Sequence, residues 1–205
     1  MNKRLNKIFD FLCEIEKLKL VERIPYLSDK KRQENDAEHS WHLAMMLLSL
    51  EGEFENKFDC FKTLKIILVH DLIEIHTGDD WVTTKEKKDD KRIAEKEAAD
   101  KLFSILPVDL EKEFRGLWEE YDQGETIEAK IAKGLDKLSY SLQHSISKKI
   151  NWHNSASASE DIESSRDYAM PYIKNEPAMI EIFEHLMNER ALHQDKFQWV
   201  KRTQK

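Results

Sequence analysis

Apolar residues return every three or four positions along most of this chain, and that spacing restricts its fold more than any other feature. A period near 3.6 places such residues on one face of an α-helix, where they can be buried together. Only five glycines and four prolines occur in 205 residues, so turns are few and the elements between them are long. The pattern predicts an all-α fold, with helices over residues 5–15, 36–50, 61–75, 85–105, 109–121 and 127–146 and two more nearer the C-terminus.

Local signals refine the limits of the first helices. Pro25 disfavours helical backbone just before it, and the polar residues 27–36 predict a loop. Asp36, at the end of that loop, is a suitable N-cap for the 36–50 helix. Gly78 suits the left-handed position that ends the 61–75 helix. The first third of the chain is therefore expected to contain helices and loops.

The C-terminal part predicts two further helices after a loop over residues 155–160, with Pro171 and Pro177 between them. The charged segment that begins at residue 85 predicts a helix whose outer face is solvated, and Pro107 ends it. The buried faces expected for that helix and for the last one are Ile93, Ala94, Ala98, Leu102 and Ile105, and Met179, Ile182, Phe183, Leu186 and Leu192.

Composition restricts the class of protein. With 40% hydrophobic and 36% charged residues, the chain is expected to form one domain over residues 1–205. A net charge of −7 argues against binding to a nucleic acid polymer, which needs a basic surface. Cys13 and Cys60 are isolated, as in a protein with reduced thiols. Neither a signal peptide nor an apolar run of roughly 18 residues is present, so a cytoplasmic protein without a membrane segment is expected.

A His-Asp pair at the end of an apolar run is the strongest chemical signal. His70 and Asp71 follow a run of buried-type residues, where polar groups are costly unless they are paired or bound to a metal. His39 and Asp136 are further candidate ligands, so the set comes from three different predicted helices. Two imidazoles and two carboxylates suit Mn²⁺, Mg²⁺, Fe²⁺, Co²⁺ or Zn²⁺. Such a cation polarises phosphoryl oxygens, which points to hydrolysis of a phosphate ester.

Two further carboxylates are expected beside this metal site. Glu74 lies four residues after His70 and three after Asp71, so helical spacing places all three on one face. Hydrolysis needs a base near the attacking water, and Glu74 is the candidate. Asp79 follows at the end of the same helix, near the same cavity.

At this point the chain resembles the HD-domain phosphohydrolases, a family named for a histidine, a His-Asp pair and a later aspartate. Within the family it looks most like the 5′-deoxynucleotidase branch. Ile24 departs from that branch's pattern, which has tryptophan there, and residues 80–84 replace its proline-rich turn. The resembling segments extend over about residues 12–145 and comprise residues 20–25, 34–40, 70–74, 77–79, 117–121, 128–130 and 135–138.

The resemblance implies a helical domain that holds one divalent cation between its helices, with the C-terminal helices completing the fold. It gives Glu74 the role of catalytic carboxylate, Arg23 that of phosphate contact and Asp79 that of sugar-hydroxyl contact. The implied reaction releases phosphate from a nucleoside 5′-monophosphate, most plausibly a deoxynucleotide. The resemblance also implies a homodimer.

Three alternatives remain open from the sequence. His70 and Asp71 could form an ion pair at a helix end without a metal. The enzyme could instead be a phosphodiesterase or act on a polyphosphorylated nucleotide, although the sequence lacks a basic cluster that extra phosphates usually recruit. A metal-stabilised ligand-binding module without catalysis is the third, and an intact Glu74 argues against it.

Overall fold

The computed structural model describes residues 2–79, 85–152 and 158–201, and helices dominate these ranges. The all-α prediction is confirmed. Short 3₁₀ turns follow the first, second and last helices. Within the described ranges, no helix is both long and apolar enough to cross a membrane. The helices are α1 (Lys3–Ile15), α2 (Asp36–Leu50), α3 (Cys60–Val69), α4 (Glu74–Thr77), α5 (Lys85–Phe103), α6 (Val108–Gln123), α7 (Ile127–Ser147), α8 (Ala158–Ile173) and α9 (Pro177–Leu192), and the strands are β1 (Glu22–Tyr26), β2 (Gln33–Asn35), β3 (Lys149–Trp152) and β4 (Gln198–Lys201).

Helix α7 is central to the packing. Thr126 caps its first turn by accepting a hydrogen bond from the backbone N–H of Ala129 at 3.2 Å. The helix packs against α2, α3, α6, α8 and α9, and one hydrophobic core extends from Phe11 in α1 to Met187 in α9. Gly134 permits a close approach to α9, because a Cβ atom there would lie 2.8 Å from Sδ of Met179. The long helix predicted over residues 127–146 is confirmed.

The loop predicted over residues 27–36 is wrong in part, because strands β1 and β2 form an antiparallel hairpin. Glu22 pairs with Asn35, and Tyr26 pairs with Gln33. Pro25 does not prevent strand formation, since an edge strand tolerates a residue without an N–H donor. The hairpin places residue 23 beside the start of α2.

The cap of α2 also differs from the prediction. Asn35, not Asp36, is the N-cap, and its side chain accepts a hydrogen bond from the N–H of Glu38 at 3.0 Å. The carboxylate of Glu38 accepts one from the N–H of Asn35 in return, which completes a capping box. Asp36 is therefore free to turn inwards as a fully buried residue.

The helix predicted over residues 61–75 is interrupted at the His-Asp pair. It begins at Cys60 and ends at Val69, and α4 starts four residues after His70. Hydrogen bonds from the N–H of residue i to the carbonyl of residue i−3 cross the break, for example from Glu74 to Asp71 at 3.0 Å. Gly78 ends α4 with φ 72° and ψ 158°, which is not the predicted left-handed helical conformation but an extended one accessible almost only to glycine.

Three expectations for the later helices are corrected. Ile93 and Leu192 are 60% and 74% exposed, and Ala94 is also exposed, because among residues 90–103 of α5 the buried ones start at Ala98. Pro171 lies inside α8, whereas Pro177 is the first residue of α9. Of the loop expected over residues 155–160, the first three residues lie outside the described ranges and the last three belong to α8, and residues 80–84 are also outside.

A second strand pair was not predicted. Strands β3 and β4 run parallel, so the segment after α7 pairs with the segment after α9. In the sequence, α8 and α9 lie between these two strands, and both helices pack against α7.

Candidate active site

The four predicted metal ligands form one buried cluster. His39 lies on α2, His70 and Asp71 directly follow α3, and Asp136 lies on α7. Nε2 of His39 is 3.2 Å from Oδ1 of Asp136 and 3.8 Å from Oδ2 of Asp71. Nε2 of His70 is 3.0 Å from the same Asp71 oxygen. Ligand atoms of His39, His70 and Asp136 all lie within 4.8 Å of one another.

Hydrogen bonds orient both imidazoles with Nε2 towards this cluster. Nδ1 of His70 lies 2.7 Å from the carbonyl oxygen of Ile67, so a protonated Nδ1 donates there and Nε2 carries the lone pair. Nδ1 of His39 lies 3.4 Å from Oγ of Ser139. Burial, helped by the charge of Arg23, lowers the pKa of His39 to about 4, so its ring is neutral at pH 7. Both rings thus direct Nε2 at the cluster.

The two ligand carboxylates are ionised. Burial opposes ionisation of Asp71, but the neighbouring His70 and Arg23 outweigh it and hold its pKa below the ordinary value. Burial also opposes ionisation of Asp136, whose pKa is held well below the ordinary value by Lys137 and His39. Burial opposes protonation of His70, but the charge of Asp71 outweighs it and raises the pKa of His70. The cluster therefore combines a neutral His39 imidazole with charged oxygen donors.

Arg23 reaches into the same cluster from strand β1. Its NH1 donates to Oδ1 of Asp36 at 3.1 Å and to Oδ2 of Asp71 at 3.0 Å. Asp79 and Asp136 lie 3.7 Å from its guanidinium, so the arginine is surrounded by carboxylates. Because its side chain is only 11% exposed, these ion pairs are shielded from solvent.

Asp36 and Glu34 are site residues that the sequence did not reveal. Burial raises the pKa of each to about 7, and the guanidinium of Arg23 partly offsets that rise. Oε2 of Glu34 lies 3.8 Å from Nε of Arg23. The register of β1 and β2 brings these two acids beside Arg23. A prediction of a hairpin over residues 22–35 from the sequence would have identified them as neighbours of Arg23.

Glu74 and Asp79 lie beside the cluster and line the same cavity. Glu74 is only 8% exposed, and its Oε2 has no hydrogen-bond partner. Burial raises the pKa of Glu74 well above the ordinary value, and the charges of Asp71 and Asp79 raise it further. Burial likewise raises the pKa of Asp79, against the opposing charge of Arg23. Because α3 is interrupted, Glu74 reaches the cluster from the start of α4 rather than from one continuous helix.

Two further residues contact Asp136 and were missed from the sequence. The hydroxyl of Tyr121 donates to Oδ2 of Asp136 at 3.2 Å, and its ring lies 4.7 Å from the His70 ring. Nζ of Lys137 donates to the same oxygen at 2.6 Å. Tyr121 ends a segment that resembles the family, whereas nothing in the spacing of Lys137 distinguishes it from surface lysines.

The cluster opens onto a cavity of about 630 Å³. Five of its charged lining residues, here called the charged wall, are Arg23, Asp71, Glu74, Asp79 and Asp136. Three aromatic lining residues from α7 and α8, here called the tyrosine wall, are Tyr140, Tyr168 and Tyr172.

Lysines also line this cavity, so the expectation that basic residues are not grouped is wrong. Lys91, Lys133 and Lys137 come together there from α5 and α7. Each is paired with a protein oxygen: Lys91 with Glu95 at 3.6 Å, Lys133 with the carbonyl of Asp122 at 3.1 Å, and Lys137 with Asp136. The group is not visible in the sequence, because Lys91 lies on α5 whereas Lys133 and Lys137 lie on α7, beyond the whole of α6.

The cluster fits a divalent cation. The Nε2 atoms of His39 and His70 are buried, have no hydrogen-bond partner and point towards two ionised carboxylates. Buried polar atoms without partners are rare in proteins, and this donor set is one that divalent metals use. An ion pair between His70 and Asp71 alone would not explain why Nε2 of His39 is buried without a hydrogen-bond partner.

Comparison with known proteins agrees with this geometry. The profile of the HD domain family matches residues 15–174. The chain belongs to the HD domain family. It is a metal-dependent phosphohydrolase, and its cofactor is a divalent cation.

Relatives support the same assignment. The bovine and human proteins named 5′-deoxynucleotidase HDDC2 are 34% and 33% identical to this HD domain chain over 139 residues. Those matches cover 67% of the chain and 66% and 67% of the two relatives, so the chain spans about two thirds of their length. The crystal structure of a predicted metal-dependent phosphohydrolase from Magnetospirillum magnetotacticum MS-1 is 31% identical, with a TM-score of 0.79 and coverage of 96% of this chain and 99% of that one.

Proposed function

We propose that this HD domain enzyme releases phosphate from nucleoside 5′-monophosphates, with deoxynucleotides as the preferred substrates. The observation that carries the proposal is the placement of Arg23 and Glu74 beside the His39, His70, Asp71 and Asp136 cluster, in a cavity that three tyrosines also line. Relatives named 5′-deoxynucleotidase support the substrate class.

We assign the cation to His39, His70, Asp71 and Asp136. Bound there, it supplies Lewis acidity towards a phosphoryl oxygen and makes water more acidic. The His70 Nδ1–H bond to the carbonyl of Ile67 keeps the ring fixed with its lone pair inwards. Tyr121 and Lys137 donate to Asp136 and so fix the orientation of that carboxylate.

Glu74 is assigned as the general base. In hydrolysis, Glu74 accepts a proton from the water as the water oxygen forms a bond to phosphorus. The bond from phosphorus to the 5′ oxygen breaks, and Glu74 returns the proton to that oxygen, which leaves as the nucleoside hydroxyl. The unpartnered Oε2 of Glu74 is available for that proton. The carboxylates around Glu74 raise its pKa, and a positive charge held in the same cluster acts in the opposite direction.

Arg23 is assigned to the phosphoryl group. Its guanidinium is held by Asp36 and Asp71 through NH1, which leaves further donors of the planar fork for a substrate oxygen. Because it is already positioned and desolvated, it can stabilise the charge that grows in the transition state. Asp79, 3.7 Å from Arg23, is assigned to a sugar hydroxyl.

A substrate screen tests the proposal. Purified protein is assayed with nucleoside mono-, di- and triphosphates, cyclic dinucleotides and bis(p-nitrophenyl) phosphate, each with Mn²⁺, Co²⁺ and Mg²⁺. We expect phosphate release to be fastest from deoxynucleoside 5′-monophosphates. Faster turnover of a diester or triphosphate would contradict the proposal and favour the diesterase or polyphosphate alternative.

We further propose a homodimer that buries an apolar surface on α2 and α3. Trp41, Met45 and Leu48 lie on one face of α2 and are 64%, 43% and 52% exposed, and Phe61 and Leu68 on α3 are 67% and 47% exposed. Exposed apolar patches of this kind mark interfaces. Sedimentation should show a dimer for the parent and a monomer for Leu48→Glu, with Leu192→Glu as the control, and a monomeric parent at micromolar concentration would contradict it.

We also propose that the chain forms a single domain over residues 1–205 and works in the cytoplasm. The continuous core from α1 to α9 supports the first assignment. Free Cys13 and Cys60 support the second, since neither has a disulfide partner. Fractionation of cells that express the protein tests the location.

A further inference from the structure

Tyrosines are concentrated at this cavity. Four of the five tyrosines in the chain, Tyr121, Tyr140, Tyr168 and Tyr172, line it. The fifth, Tyr26, lies under Nζ of Lys149 at 4.0 Å. Tyr121 serves the ligand cluster through Asp136, but the three residues of the tyrosine wall have no role in the chemistry assigned above.

Helix geometry makes the tyrosine wall a continuous aromatic surface. Tyr168 and Tyr172 are four residues apart on α8, so both rings project from one face. Tyr140, on α7, packs edge-on against Tyr168 with the ring centres 6.3 Å apart and the planes at 67°. Tyr168 is therefore held from behind, whereas Tyr172 is 38% exposed. A large aromatic surface of this kind at a cavity suits a planar ligand.

Lys137 connects this wall to the ligand cluster. Its Nζ lies 2.6 Å from Oδ2 of Asp136 and 5.1 and 5.6 Å from the ring centres of Tyr168 and Tyr172. The two cation–π contacts hold both rings in place. One lysine side chain thus contacts both the Asp136 carboxylate and the tyrosine wall. The two are therefore close enough for one nucleotide to contact both.

We propose that Tyr168 and Tyr172 form a stacking site for a planar heteroaromatic ring, so that the nucleobase binds on the tyrosine wall while the phosphate lies at the ligand cluster. The inference rests on the proposed nucleotide substrate and adds the position of the base. Stacking on tyrosine accepts any base, since every base presents a π-face. The wall therefore selects substrates that carry a base over those that do not, and it discriminates little among the bases.

The test compares two phosphate monoesters that differ in the base alone, deoxyadenosine 5′-monophosphate and 2-deoxyribose 5-phosphate. Tyr172→Ala should raise KM for the nucleotide roughly tenfold, the loss typical of one stacking contact. KM for the sugar phosphate should stay unchanged. Tyr172→Phe keeps the ring and should behave as the parent, and Phe9→Ala, which removes an exposed ring from α1, is the matched control.

Each other outcome has a defined meaning. Equal KM changes for both substrates, or no change for either, would overturn the stacking site and leave the nucleotidase proposal intact. A parent enzyme that hydrolyses the sugar phosphate but no nucleotide would overturn both. If circular dichroism shows that Tyr172→Ala has lost helix, Tyr172→Leu provides the same comparison, because leucine preserves apolar contact without a π-face.

Discussion

The charged wall and the tyrosine wall face the same cavity but are built in opposite ways. The charged wall is drawn from strand β1, helices α4 and α7 and the segments that follow α3 and α4, and its carboxylates are held by Arg23 and Lys137 away from solvent. The tyrosine wall comes from two adjacent helices, and Tyr172 at its edge is more than a third exposed. The first wall depends on long-range contacts, whereas the second depends on local helix geometry.

The difference separates chemistry from recognition. Charges that act on a reacting group must be fixed beforehand in a site that excludes water, which requires support from several elements. A stacking surface needs only ring faces at suitable spacing, and it can lie near solvent. We therefore expect substitutions in the charged wall to affect turnover and those in the tyrosine wall to affect substrate choice.

The largest effect should come from the ligand cluster. His70→Ala and Asp71→Ala should each abolish retention of the divalent cation and activity, because each removes one of the four proposed donors. Thermal stability with the metal present should also fall, since binding to the native state stabilises it. Metal content after dialysis and thermal unfolding measure this. His185→Ala, on the exposed side of α9, is the control, and full occupancy in both ligand variants would refute the assignment.

Next in size is the loss of the base. Glu74→Gln preserves the shape of the side chain and should lower kcat by roughly two to four orders of magnitude, the range for general base catalysis. The variant should retain its cation and bind nucleotide as the parent does. Steady-state kinetics and calorimetric titration measure the two properties, with the exposed Glu119→Gln as control. If Glu74→Gln turns over normally, another carboxylate is the base, and Asp79 is the next candidate.

Arg23→Ala should lower the rate less than Glu74→Gln does, but it should also lower the stability of the fold. We expect kcat/KM to fall about 10²- to 10³-fold, because one preorganised positive group is lost. Asp36 and Glu34 would lose their buried partner, which should destabilise the fold by about 3 kcal/mol. Kinetics and urea unfolding check both effects. Arg166→Ala removes a more exposed arginine that pairs with Glu184 and should change neither property much.

The smallest effect concerns a histidine behind the tyrosine wall. The ring of His144 lies 4.3 Å from that of Tyr140, and burial, with the charge of Arg190, lowers its pKa to about 3. The unfolded chain takes up this proton first, near its ordinary pKa, so stability is complete above about pH 6.5 and is lost as pH falls towards 3.

Between pH 7 and pH 5, this single group should lower the free energy of unfolding by about 2 kcal/mol. His144→Gln cannot take up the proton, so its stability should depend less on pH over that interval. Urea unfolding of the parent and the variant at both pH values gives the difference. Identical pH dependence in the two proteins would show that His144 does not contribute.

The sequence predicted the helices and the ligand cluster because both depend on local patterns. His70 and Asp71 end an apolar run, and Asp136 lies beside the apolar residues Leu135 and Leu138 of the long helix. Each can therefore be recognised in the sequence without knowledge of its neighbours in space. Residues such as Asp36 and Lys137 are defined by their neighbours in space. Asp36 resembles any N-cap until the hairpin register places Arg23 beside it, and nothing in the sequence around Lys137 shows that two tyrosines from α8 lie next to it.

The interruption of α3 could not be predicted for a related reason. Periodicity continues through residues 70–75, and the helical spacing from His70 to Glu74 persists in the sequence. The backbone nevertheless changes to hydrogen bonds between residues i and i−3 at the His-Asp pair, where several helices require the side chains to point towards one centre. Packing from other parts of the chain overrides the local preference there.

Gly134 lies where α7 is in close contact with both α8 and α9. Met179 and the carbonyl of Tyr172 lie 2.8 and 3.4 Å from the position that a Cβ atom would occupy, so the end of α8 rests almost directly on the backbone of α7. An added methyl group would press on Sδ of Met179 in α9, whereas the carbonyl of Tyr172 is already at ordinary contact distance. The substitution would therefore disturb the packing of α9 against α7 and α8, while Asp136, two residues along α7, keeps its place. The lack of a side chain at a position that does not line the cavity is thus a condition for the close packing of these three helices.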